Sequence, residues 1–297
     1  MPNSGLNPFS AWRIIRALAL LLLSMALLAS CSVARLGYGQ LPSLAYWWLD
    51  SYFDLNDSQS VALRADLQAL HSWHRRQQLP QLARDLADIQ AQATQNTTPT
   101  QVCQIADRLR WRLQAVLAES EPGLARLAQS LNDAQRQHLK HQLEKRAQTW
   151  RDDWLAGSAA ELQARRLERL VERTESFYGP LSEAQISLLR AGLQATPFDA
   201  QAAEQDMLRR HQDLLQTLPS LAGSTLTAAQ AQDHIHALLA RSLQSPNAGY
   251  RAQIDQLLQN NCHTLARLHN SSSPAQRQKL IARLKDFADD ARALTLP

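Results

Sequence analysis

Apolar residues recur at three- and four-residue spacing along most of the chain after its first thirty residues, as in Leu63, Leu67 and Leu70 and again in Leu162, Leu167 and Leu170. Such spacing gathers apolar side chains on one face of a helix. No window there shows the period-two alternation of a half-buried strand. Breakers separate the runs: Thr97-Thr98-Pro99, Glu121-Pro122-Gly123, Gly179-Pro180, Thr196-Pro197, Pro219, Ser245-Pro246-Asn247 and Ser271 to Pro274. Segments bounded in this way predict about ten helices of ordinary length. The expected fold class is all-α, a multi-helix bundle or a loose stack of helical hairpins. One candidate point of subdivision lies near residues 179–181.

A degenerate signal repeats where these helices begin. Asn56-x-x-Gln59, Thr98-x-x-Gln101, Asn132-x-x-Gln135, Ser182-x-x-Gln185, Thr227-x-x-Gln230 and Ser273-x-x-Gln276 share one form. Each predicts a capping box, in which the first side chain accepts from the N3 amide and the Gln reaches back to the cap's own N–H. Eleven residues beyond each cap stands a leucine: Leu67, Leu109, Leu143, Leu193, Leu238 and Leu284. Seven beyond, the residue is apolar in five helices, and His234 takes the place in the remaining one. Positions +7 and +11 stack on one face, so each box starts an amphipathic helix of similar phase. The boxes follow one another at 34 to 50 residues, near the length of a two-helix unit. Six good helices also begin alike without any common origin, and the sequence leaves both readings open.

Composition agrees with the pattern. Ala, Leu, Gln and Arg dominate, and only 9 glycines occur in 297 residues, a helical balance. The first thirty residues differ in kind. Arg13 and Arg16 supply a positive region, and Ala17 to Leu28 a nearly unbroken apolar run of about 12 residues, too short to span a bilayer. Leu28-Ala29-Ser30-Cys31 then resembles the lipobox of bacterial lipoproteins. Membership in that class implies cleavage before Cys31, a diacylated thiol and an acylated new amino terminus. The domain reading is a signal peptide over residues 1–30 and a mature all-α lipoprotein domain over residues 31–297. Two or more acyl chains hold a protein firmly to a membrane, where one binds only marginally. In enteric bacteria an aspartate after the cysteine marks inner-membrane retention, so Ser32 implies the periplasmic face of the outer membrane.

Charge and cysteines narrow the partners. Without Arg13 and Arg16 the formal charge falls from +4 to +2, and charges alternate with no basic block, so a nucleic-acid partner is not expected. With Cys31 lipidated, Cys103 and Cys262 remain. An oxidising periplasm would allow them a disulfide. Two buried thiols packing as small hydrophobes fit the sequence equally well.

Residues Tyr38 to Arg84 carry a richer pattern. Trp48-Leu49-Asp50-x-Tyr52-x-Asp54-Leu55, Gln59 and Leu70-His71-x-Trp73-His74-Arg75-x-x-x-Leu79-Pro80 resemble the opening of the DUF6279 family of proteobacterial lipoproteins. The resemblance implies an envelope location and helical structure, and brings no established activity. Gln78 departs from it where an acidic residue is expected before Leu79-Pro80. Separately, Leu226-Thr227-Ala228-Ala229-Gln230, and more loosely Leu181-Ser182-Glu183-Ala184-Gln185, resemble the Leu-Thr-x-x-Gln motif of the Spy-type periplasmic chaperones. That similarity implies a class of work, the cradling of unfolded clients on an apolar concave surface.

Candidate chemistry is sparse. Six of the chain's seventeen aromatic residues fall between Tyr38 and Phe53. Their rings suit a membrane interface or a helical core, and the core is the favoured reading. His71 and His74 share a helix face, as do His138 and His141. Further ligands at matching positions are missing, so neither metal nor cofactor is expected. A packed cluster of His71, Trp73, His74 and Arg75 with Asp50 or Asp54 is expected instead. No Gly-x-Ser-x-Gly elbow or phosphate-binding loop occurs, and Asp152-Asp153 and Asp289-Asp290 point apart on a helix. The expected function is therefore protein binding without catalysis, as a chaperone-like cradle for unfolded clients or an envelope adaptor. The candidate partner-binding residues are Trp48, Asp50, Tyr52, Asp54, His71, Trp73, His74 and Arg75, gathered in one patch near the membrane. The alternatives are a peptidoglycan-acting helical enzyme or a purely structural envelope protein.

Overall fold

In the computed structural model residues 35–223 and 225–295 are described. The expected signal peptide and Cys31 lie outside the described residues. Eleven α-helices stand among those described: α1 (Leu41–Phe53), α2 (Asp57–Trp73), α3 (Leu79–Gln92), α4 (Pro99–Ser130), α5 (Asp133–Trp154), α6 (Ala159–Tyr178), α7 (Glu183–Ala195), α8 (Ala200–Leu221), α9 (Ala228–Leu243), α10 (Ala248–Asn270) and α11 (Pro274–Thr295). No strand occurs among the described residues, and the fold is an all-α bundle. A π-helical segment, His74–Gln78, joins α2 to α3. Its wider turn leads into Pro80, whose ring and missing N–H cannot continue an ordinary helical ladder.

All six expected capping boxes form. A seventh, Ser158 with Glu161, starts α6 and uses Glu where the sequence pattern has Gln. Four of the six also do tertiary work. Gln59 and Gln135 are buried and donate to each other's side-chain oxygens at 3.1 and 2.6 Å, docking the start of α2 on the start of α5. Gln185 and Gln276 repeat the arrangement between α7 and α11 at 2.9 and 3.0 Å. The +7 leucines of these four helices, Leu63, Leu139, Leu189 and Leu280, are all buried. The phase rule fails on α4, where the +11 residue Leu109 is half exposed.

Two of the expected breakers do not break. α4 runs 32 residues through Glu121-Pro122-Gly123, and α8 runs through Pro219 to Leu221. An interior proline costs a helix about 3 kcal/mol, and packing overrides that cost on α4. On either side of Pro122, buried Glu121 accepts from Gln232 and pairs with His236 on α9, and Gly123 faces α2. Gly123 lets α2 approach: a Cβ there would lie 3.1 Å from the Asp66 carboxylate.

The largest core cluster joins α1, α2, the second half of α4, α5, α8 and α9, with Leu139, Leu218, Leu221 and Ala231 at its centre. α3, α6 and α11 pack around two smaller buried clusters, and α7 packs against α10. Contacts cross residues 179–181 freely, because α3 lies along α11 and α4 along α10. A disulfide between Cys103 on α4 and Cys262 on α10 joins the same two helices across 159 residues of sequence.

Candidate functional site

The aromatic and histidine motifs near the start of the chain fold into a helical hairpin, and they divide between its two ends. Asp50 and Asp54 shape the turn. The Asp50 carboxylate accepts from the Leu55 amide at 3.0 Å, and Asp54 closes α1 in the left-handed region, φ +52°. An aspartate tolerates that conformation better than most residues. The Asp54 carbonyl accepts from Gln135, tying this turn to the paired capping boxes. Trp48 and Tyr52 pack on the same helix with ring centroids 5.0 Å apart and planes tilted by 50°.

The second half of the motif lies at the far end of α2, about 25 Å along the helix axis from Asp54. There Tyr38, not Asp50 or Asp54, is the partner of the histidines. Its hydroxyl meets His74 Nδ1 at 2.8 Å, its carbonyl meets His71 Nε2 at 3.2 Å, and its ring packs on His71 at 4.6 Å. Arg75 donates to the Leu294 carbonyl at the end of α11, and Trp73 stands half-buried beside His74. Burial pushes the Tyr38 hydroxyl up to about 12 and both histidines below their ordinary value. The eight candidate residues therefore form two groups and not one patch. An antiparallel hairpin separates residues before its turn from those that close its open end.

The crowded aromatics also divide. Tyr46 is buried, and Tyr52 and Phe53 pack against the largest core. Trp47 and Trp48 are exposed at 61% each, with Leu41 and Leu44 beside them. The other histidine pair separates as well: His138 meets the Ser51 carbonyl at 3.1 Å, while His141 is exposed. Among the described residues no three His, Cys, Asp or Glu side chains converge as metal ligands.

A sizeable concave feature lies elsewhere. A cavity of about 710 Å³ is bounded by α3, α6, α7, α10 and α11, the start of α4 and the end of α5. Its inner wall is aliphatic, with Ile105, Leu189, Leu193, Leu257, Leu280 and Leu284. α6 forms one long side. Arg166, Arg169, Leu170, Arg173 and Phe177 recur at three- and four-residue spacing, so its cations and apolar groups share the face turned to the cavity. Trp154 and Phe198 meet at 5.4 Å on the same wall, and the Arg169 and Arg166 guanidinium groups lie over their rings. At the other end Tyr178 bonds His269 Nδ1 at 2.9 Å while His269 Nε2 meets the Gln95 carbonyl at 2.8 Å. Burial raises Tyr178 to about 12 and lowers His269.

None of the eight residues expected to bind a partner lines this cavity. The sequence carried one signal for it, three arginines within the apolar stripe of a single helix. Cations on such a stripe face the interior or its mouth. The rest of the lining comes from six other helices and from the loops that follow α3 and α7, which local spacing does not bring together.

Residues 51–242 match the profile of DUF6279, a family of unknown function. The chain belongs to that family. The matched region holds α2 to α9, and so the arginine-bearing wall of the cavity, whereas α10 and α11 lie beyond it. No curated protein and no solved structure shows significant similarity to this family member. Gln78, where the family resemblance predicted an acid, is buried and accepts from Arg112 at 3.4 Å, and Asp85 pairs with the same guanidinium.

Proposed function

We propose that this DUF6279 member is a lipoprotein, held through acyl groups on Cys31 to the periplasmic face of the bacterial outer membrane, that works by binding and not by catalysis. The observation that carries the reading is the cavity. Its volume, about 710 Å³, falls within the roughly 300–1,000 Å³ of small-molecule sites. Its lining is mostly apolar and includes no aspartate, glutamate, serine or cysteine. A cell-wall-cleaving enzyme needs a carboxylate aimed into its groove, so that alternative draws no support from this lining.

An apolar group enters such a cavity because its removal from water stabilises the complex by about 25 cal/mol per Å². The half-open, concave shape suits one apolar segment at a time better than a broad unfolded surface. A chaperone-like or adaptor role would then work through a single inserted segment. The exposed Leu41, Leu44, Trp47 and Trp48 support the membrane side of the proposal. They form an apolar stripe ten to seventeen residues after the proposed anchor, where indole rings suit the headgroup region.

Two measurements test this. Replacing Cys31 with alanine is expected to move the protein from the outer-membrane fraction to a soluble or inner-membrane one, and unchanged fractionation overturns the anchor. The chain from Ser32 onward is expected to slow aggregation of an unfolding protein at equimolar ratio, and Leu193→Trp, which fills the cavity, to weaken that effect. Aggregation unaffected at several-fold excess overturns the chaperone-like form of the reading.

A further inference from the structure

The cavity is apolar inside and cationic on one side. Arg166 is half-buried, while Arg169 and Arg173 are exposed, which sets the cations at the opening. None of the three forms an ion pair among the described residues. Elsewhere in the molecule comparably placed arginines have acidic partners, as Arg112 has Asp85 and Arg241 has Asp213. Asp153 lines a small adjoining recess of about 60 Å³ with Arg165, Arg166 and Arg169 but stays beyond ion-pair distance of them. A partly buried guanidinium without a carboxylate has lost water contacts that no protein anion replaces. Burial accordingly lowers the pKa of Arg166.

We infer that the cavity takes a single-chain anionic amphiphile, its acyl chain among Leu189, Leu193 and Leu257 and its acidic headgroup on Arg166, Arg169 and Arg173. The inference rests on the binding reading above and names the class of ligand. Aliphatic lining excludes a polar solute, and an unpaired cationic rim disfavours a cationic headgroup. Guanidinium forks match carboxylate and phosphate oxygens in two-point geometry. The rings of Phe198 and Trp154 hold Arg166 and Arg169 at 5.3 and 5.5 Å, limiting the side-chain freedom lost on binding. Free fatty acids and lysophospholipids both present this chemistry.

The test uses the full-length protein in detergent-free nanodiscs and a hexadecanoic acid carrying a terminal diazirine. After irradiation, adducts are mapped by mass spectrometry. They are expected on α7 and α10, and competed by palmitate or lysophosphatidylglycerol at concentrations at least tenfold below those needed for hexadecanol or hexadecyltrimethylammonium. Whichever of the two anions competes identifies the source. Substituting Arg166→Gln, Arg169→Gln and Arg173→Gln together is expected to cut labelling at least tenfold. The competition series with the unaltered protein decides the matter if that variant does not fold. Equal competition by hexadecanol overturns the anionic specificity and leaves the binding reading standing. Adducts confined to surfaces outside the cavity overturn both.

Discussion

Single polar side chains hold much of this bundle in register. Gln59 both completes its own capping box and donates to Gln135 and to the Ser130 carbonyl. Gln135 does the same for its own box and for Asp54. Losing one member opens its own capping box and removes the other's two amide–amide bonds in a buried setting, which costs about 1–3 kcal/mol. Gln59→Leu and Gln135→Leu are each expected to destabilise the fold by that amount in urea unfolding, and the double variant by clearly less than the sum. Additive costs would show that the amides act separately. Histidines provide a second test at this scale. Burial holds His71, His74, His211 and His269 below the ordinary value near 6.5. As pH falls through about 6.5 the unfolded chain takes up protons that the folded chain refuses, so stability is full above that value and declines below it. The melting temperature is expected to drop between pH 7 and pH 5, before most carboxylates titrate. His269→Gln should flatten that slope, and an unchanged slope would remove His269 from the effect.

Helices pack here at the spacing their smallest residues allow. On α7 a Cβ at Gly192 would stand 2.4 Å from the Thr264 hydroxyl on α10, and Asn260 donates to the Gly192 carbonyl at 2.8 Å. Gly192→Ala raises helix propensity by roughly 1 kcal/mol yet forces the two helices apart. Overpacking of this kind costs about 1–3 kcal/mol, so a net loss of stability is expected, with partial rescue by Thr264→Ala. A stabilised Gly192→Ala protein would mean that α7 and α10 are not in close contact. Because Thr264 lines the cavity, the same substitution is also expected to weaken ligand uptake. α6 illustrates the opposite design, a helix whose cavity face mixes Leu170 and Phe177 with three arginines.

Across the whole molecule, one covalent bond joins helices far apart in sequence. Closing a loop of 159 residues through Cys103 and Cys262 removes unfolded-state entropy equivalent to about 5 kcal/mol at most in the chain-entropy account. Reduction, or Cys103→Ser with Cys262→Ser, is expected to lower stability by about 2–5 kcal/mol, read as a fall of roughly 4–20 °C in melting temperature. A melting curve indifferent to reductant would show that packing of α4 on α10 suffices alone. The bond lies between cavity-lining neighbours, with Val102 on one side and Asn261 on the other, so its loss should loosen the cavity before the large core.

Local physics made much of this legible from the residues alone. Three- and four-residue spacing settles helix against strand, because a period of 3.6 residues collects one face and a period of two does not. Asn56, Asn132 and Ser182 fix helix starts through bonds spanning three residues. What lay beyond sequence reading spans longer distances. Pro122 continues a helix because neighbouring helices hold it there. His71 and His74 meet Tyr38 and not Asp50 because a hairpin separates its turn from its open end. Cys103 finds Cys262 because α4 and α10 lie side by side. The cavity exists where seven helices leave a space among them, and only the three arginines on α6 announced it in the sequence.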